Sequence, residues 1–121
     1  MYRMAIIEEC LEDLQILEDV QPYFISQRVE EVPEDEYPVW HINEYHINDD
    51  RLYYFLELLK QFVKKTWYIH MFDDESLYVI LREKWFKVSR EKDETWDEMI
   101  EYGVSYAEVE REYLESIPLD I

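Results

Sequence analysis

Apolar residues at Leu52, Phe55, Leu56, Leu59, Phe62 and Val63 recur at the three- and four-residue spacing of a single helix face. Asn48, Asp49 and Asp50 precede the stripe, where a cap and negative charge suit the start of a helix. Lys60, Lys64 and Lys65 load its other end, where positive charge suits the macrodipole. The pattern predicts a helix over 51–65. Around it the period changes from about 3.6 to two. The stretches VWHINEYHI (39–47), WYIHMF (67–72), LYVIL-Arg (77–82) and WFKV (85–88) are short and rich in β-branched and aromatic residues, and they read as strands. Tyr23 to Glu30, after Pro22, reads as a further strand.

The chain ends are less regular. Ile7, Cys10, Leu11, Leu14 and Leu17 lie close to helical spacing and predict a helix over 5–19, although six acids and no base between 8 and 19 place like charges one turn apart. Near the other end, Thr95 with Glu98 and Ser105 with Glu108 have capping-box spacing. They predict two short helices, the first stopping at Gly103 and the second at Pro118.

In 67–72 both alternating sets are apolar: Trp67, Ile69 and Met71 on one side, Tyr68, His70 and Phe72 on the other. A sheet wetted on one face would alternate apolar with polar, so both faces of these strands must be covered. The expectation is a single α+β domain over 1–121. Its antiparallel-rich sheet has four or five strands (23–30, 39–47, 67–72, 77–82 and 85–88). One long helix (51–65) packs on the first face through a right-handed β-α-β crossover from 39–47 to 67–72. Short terminal helices, or a second copy in a homodimer, cover the other face.

Composition narrows the function. Thirty acids against twelve bases give a net charge of −18, which argues against binding a nucleic-acid backbone through counterion release. The acids are clustered: 8–36 holds eleven against Arg28 alone, 89–115 holds ten against three bases, and 37–88 is nearly neutral. PEDEYP (33–38) resembles a linker. Only one glycine, Gly103, is present, so neither a Gly-rich phosphate loop nor a hydrolase nucleophile elbow can be built. No apolar run reaches the 18 or more residues of a membrane span, and no secretory leader is visible. The single Cys10 fits a reducing, cytoplasmic setting.

Candidate chemistry is sparse. His41 and His46 differ by an odd number within one strand and so face opposite ways, and no spacing of His and Cys forms a metal motif. No metal, catalytic or cofactor-binding residue is assigned. His41, His70, Tyr68 and Trp40 are the candidates for an aromatic and imidazole pocket. Each also has a plain reading as a packed sheet residue. Glu30, Glu31, Glu34, Asp35 and Glu36 are the candidate contacts for a basic partner, and such a run also serves solubility alone. Cys10 lies among acids that raise a thiol pKa, and reads as a small core residue.

The succession WYIHMF, LYVILREKWFKV and ETWDEMIEYG resembles short stand-alone bacterial proteins that combine a Trp-Tyr-x-His strand, a hairpin and a Trp…Tyr-Gly helix. The resemblance spans about 39–105. It implies a bacterial, single-domain protein and carries no functional residues. The functional expectation is a non-enzymatic interaction or regulatory protein that meets a basic protein partner. The alternatives are a small-ligand-binding or hydrolytic domain using the aromatic and His pocket, and an acidic mimic of nucleic acid.

Overall fold

The computed structural model describes residues 1–121. The α+β class holds, with six strands rather than four or five. They are β1 (Tyr2–Ile7), β2 (Phe24–Glu31), β3 (Val39–Ile47), β4 (Ile69–Phe72), β5 (Leu77–Leu81) and β6 (Lys84–Val88), in the order β2-β3-β1-β4-β5-β6, with every neighbouring pair antiparallel. Four α-helices complete the chain: α1 (Ile16–Val20), α2 (Leu52–Leu59), α3 (Thr95–Ser105) and α4 (Arg111–Glu115). None is long and apolar enough to cross a membrane.

The sixth strand is β1, in the segment expected to begin a helix. Two sets of sheet partners decide this: Met4 lies opposite Tyr45 on one side and Met71 on the other. The like charges of 8–19 shorten the helix behind it. Glu8–Cys10 forms one 3-10 turn and only Ile16–Val20 is α-helical. Because β1 pairs antiparallel with both β3 and β4, those two strands run parallel to each other. The chain between them carries α2 and crosses over β1, so a β-α-β connection joins them but skips a strand.

The long helix is also shorter than its apolar stripe. A 3-10 turn, Asp49–Arg51, leads into α2, which ends at Leu59. Beyond it the backbone pairs elsewhere: Glu12 N–H donates to the Phe62 carbonyl at 2.8 Å, Lys64 N–H donates to the Cys10 carbonyl at 2.8 Å, and Leu11 bridges to Val63. Val63 therefore reaches the core from a β-bridge and Phe62 from the turn that closes α2, rather than from a continued helix.

Each sheet face has its own core. Met4, Ile6, Tyr45, Ile69, Met71 and Ile80 meet Phe55, Leu56 and Leu59 of α2 on the first face. Phe72, Leu77, Val79 and Leu81 meet Trp96, Met99, Ile100 and Leu114 of α3 and α4 on the second. The double-sided apolar pattern of β4 and β5 is thus satisfied within one chain, by its own last third. Neither capping box forms. Asp93 accepts the Thr95 N–H at 2.9 Å at the start of α3, and α4 begins only at Arg111. Gly103 does not end α3 but lies buried inside it with negative φ, because a Cβ there would collide with Cδ1 of Leu114.

This contact makes a stability prediction. Gly103→Ala gains about 1 kcal/mol of helix propensity but overpacks the α3–α4 contact, at a cost of about 1–3 kcal/mol. Urea denaturation should show Gly103→Ala as net destabilising by about 1 kcal/mol. In a Leu114→Ala background the same change should become stabilising, and an unchanged sign there would refute the packing account.

Candidate functional site

The C-terminal layer covers only the β4–β6 half of the second face. At its edge the β2-β3-β1 half lies open, and the step between them forms a cleft of about 400 Å³. Its floor is the sheet, with Ala5 and Ile7 of β1, Trp40 and Ile42 of β3, and Arg28 and Glu30 of β2. Period-two alternation sends these residues to one face, and the register places Ile42 opposite both Ile7 and Arg28, and Glu30 opposite Trp40.

Three further segments form the walls. The 33–38 stretch is not a linker but the loop of the β2–β3 hairpin. The Val32 N–H donates to the Pro38 carbonyl at 2.8 Å, and the Tyr37 N–H donates to Asp35 Oδ2 at 2.8 Å. This fold brings Asp35, Glu36 and Tyr37 to the cleft. Trp67 packs edge-on against Trp40 at 5.1 Å and against Tyr37 at 6.0 Å between ring centres. The opposite wall is the C-terminal segment, with Glu108, Glu110, Tyr113, Pro118 and Asp120.

Of the pocket candidates, Trp40, Tyr68 and His70 come together here. His41 does not. As an odd-numbered residue of β3 it belongs to the first face, where its backbone N–H and its Nδ1 each lie 2.7 Å from the Glu9 carboxylate. The shared His41–His70 pocket is therefore corrected to a cleft with His70 alone. Among the acids, Glu30, Asp35 and Glu36 line it, whereas Glu31 and Glu34 do not. Glu108, Glu110, Tyr113 and Asp120 carried no signal in the sequence, because only the packing of the C-terminal layer brings them to β3. No group of three or more His, Cys, Asp or Glu side chains is arranged to hold a metal ion.

The charge of the cleft is one-sided. Six carboxylates line it, and its only cation, Arg28, is already ion-paired with Glu30. At its inner end His70 is 6% exposed, stacks on Phe72 at 5.6 Å and 8°, and leaves Nε2 buried with no hydrogen-bond partner. Burial pushes its imidazole down to about 4, against the opposing pull of Asp120 and the Pro118 carbonyl, so the ring is neutral at pH 7. Burial likewise pushes the Tyr68 phenol up to about 12. On the first face the effect on His41 is reversed: its bond to Glu9 raises its pKa. Burial alone would raise the Glu9 carboxyl, but the two His41 bonds outweigh it and hold it below its usual value.

Other acids of the flank serve the fold. Glu8 accepts from Gln27 Nε2 at 3.0 Å and from Asn43 Nδ2 at 2.9 Å, and Asn43 Nδ2 also donates to the Tyr45 hydroxyl at 2.9 Å. Nearby on the second face, Glu44 accepts from Arg3 at 3.0 Å and lies 2.9 Å from His46 Nε2. The Arg3 bond, supported by His46, holds the Glu44 carboxyl below its usual value.

His70 and His41 give opposite pH dependences. The unfolded chain protonates His70 near its ordinary 6.5, while the folded ring resists until about 4. The stabilising effect is therefore complete above the unfolded value and is lost as pH falls through this window, by about 2 kcal/mol between pH 8 and pH 5. The His41–Glu9 pair acts in the other direction, since stability from a raised imidazole is present in acid and lost as pH rises through the folded pKa. Urea midpoints for wild type and His70→Phe should converge or cross as pH falls from 8 to 5, with the wild type losing more. Parallel pH curves would remove His70 as the titrating group. No protein-family model, curated protein or solved structure matches this chain.

Proposed function

We propose that this protein is a non-enzymatic binding module whose acidic second face engages a basic protein partner. The observation that carries this reading is the cleft rim, where six carboxylates face only one cation and that cation is already paired. A rim of this kind attracts positive charge over about a Debye length and steers the encounter of a basic surface. Aromatic rings between the carboxylates supply contact area with polar edges, as at protein interfaces. Within this reading the acids form two groups. Glu8 and Glu9 are committed to internal hydrogen bonds, while Glu36, Glu108 and Glu110 face the cleft.

A Lys-rich peptide, followed by fluorescence anisotropy, tests this. Binding should weaken steeply as salt rises. The double variant Glu36→Lys/Glu110→Lys should reduce affinity at least fivefold more than Glu18→Lys/Asp19→Lys, which changes the charge equally on α1, away from the cleft. Equal losses from both pairs, or binding indifferent to salt, would overturn the assignment of this face.

A further inference from the structure

The same cleft defines which group of the partner it takes, an inference that rests on the binding reading above. Three independent features converge in it. The rim is negative, and its one guanidinium is neutralised by Glu30. The walls are flat rings: Tyr37, Trp67 and Trp40 form a continuous edge-to-face row. A cation already lies against this row, since Lys64 Nζ is 4.6 Å from the centre of the Tyr37 ring and donates to its hydroxyl at 2.9 Å. The inner end holds a polar atom without a partner, Nε2 of His70, on a side chain more than nine-tenths buried. Native structures rarely leave such an atom unpaired, and its position at a cleft marks a place for a ligand group.

The chemistry of these features selects among cations. A neutral imidazole has one N–H and one lone pair. In the tautomer that carries its proton on Nδ1, Nε2 presents a lone pair and calls for an N–H donor. A quaternary ammonium has none. An ammonium on a lysine is a compact, strongly hydrated point charge that meets such a ring at one point, as Lys64 meets Tyr37, and has no flat face to stack between two rings. A guanidinium is planar, is weakly hydrated, stacks on aromatic faces and offers five N–H donors in a fork that carboxylates accept. A cleft of about 400 Å³ accommodates one such side chain with room for its flanking backbone.

We infer that the cleft is an arginine-binding site, in which one arginine side chain of the basic partner stacks on Trp40 and Trp67, meets the rim carboxylates and donates to His70 Nε2. Arginine is assigned to a partner chain rather than to a free metabolite, because β2 is exposed beside the cleft and Glu34 of the β2–β3 loop, exposed outside the lining, carries the negative surface past what one small molecule would cover.

The test uses the full chain and blocked Gly/Ser peptides carrying a single central Arg, Lys or citrulline, the last being the uncharged near-isostere of arginine. Titrations are followed by 1H–15N NMR, with free agmatine as a fourth probe. The Arg peptide should bind at least tenfold more tightly than the citrulline peptide and several-fold more tightly than the Lys peptide. It should shift the indole N–H signals of Trp40 and Trp67 while leaving Trp96, buried beneath the α3–α4 layer and outside the cleft lining, unmoved. Tyr113→Ala, at an exposed wall position that does not threaten folding, should weaken the Arg peptide, and His70→Phe should lower its affinity about tenfold. Equal binding of Arg and citrulline peptides, or unshifted Trp40 and Trp67 signals, would overturn the arginine site. If the Lys-rich peptide still showed its salt- and position-dependent binding, the basic-partner reading would survive that failure. Agmatine binding as tightly as the Arg peptide would overturn the partner-chain source and leave a free guanidinium compound as the ligand.

Discussion

The structure depends on one constraint: β4 and β5 are apolar on both faces and must be shielded from water on both. All nine positions of these two strands, four in β4 and five in β5, are buried. Each large apolar side chain withdrawn from water contributes about 1.5–3 kcal/mol, so leaving either face bare would forfeit a large part of a small domain's stability. The chain meets the constraint twice, with α2 and the 3-10 turn after β1 on the first face and the α3–α4 layer on the second. The sheet has two cores because its centre has no polar side to turn outward.

The cleft follows from how far that second layer reaches. The α3–α4 layer ends near β4, and the β2-β3-β1 half beyond it carries Arg28, Glu30, Glu44 and His46, which remain outside the apolar core. The boundary between a doubly covered and a singly covered sheet is a step, and the residues at a step come from both levels. This explains why Trp40 from the lower sheet, Trp67 from the chain before β4 and Asp120 from the tail share one space although they lie far apart in sequence. It also explains the position of His70. Its ring faces the second side at the covered end of the step, deep enough to be kept neutral and close enough to the opening to leave Nε2 without an internal partner.

The acid surplus divides along the same line. Glu8, Glu9 and Glu44 hold strands and turns together through hydrogen bonds, so their charge is partly consumed inside the molecule. Glu36, Glu108 and Glu110 project where the C-terminal layer meets the open sheet half. A net charge read along the chain treats these groups alike. Their difference is one of hydrogen-bond partners, and those partners come from other strands.

The sequence by itself determined what local chemistry can determine. The period-two runs of β2 through β6, the apolar stripe of α2, the buried character of both sides of β4 and the opposite facing of His41 and His46 are all consequences of backbone periodicity, which acts over a few residues. It also showed Trp40, Tyr68 and His70 as residues that could share a pocket. Only the tertiary structure decided the rest. Tyr2 to Ile7 became a strand because a partner was waiting on either side, and α2 stopped at Leu59 because the backbone beyond it pairs with 10–12. Gly103 was placed inside a helix by a neighbour eleven residues away, and the hairpin loop and the C-terminal segment were brought to the same cleft as His70. Each of these outcomes depends on contacts between distant segments, whose energy is available only after the chain has closed on itself and which therefore leave no period in the sequence.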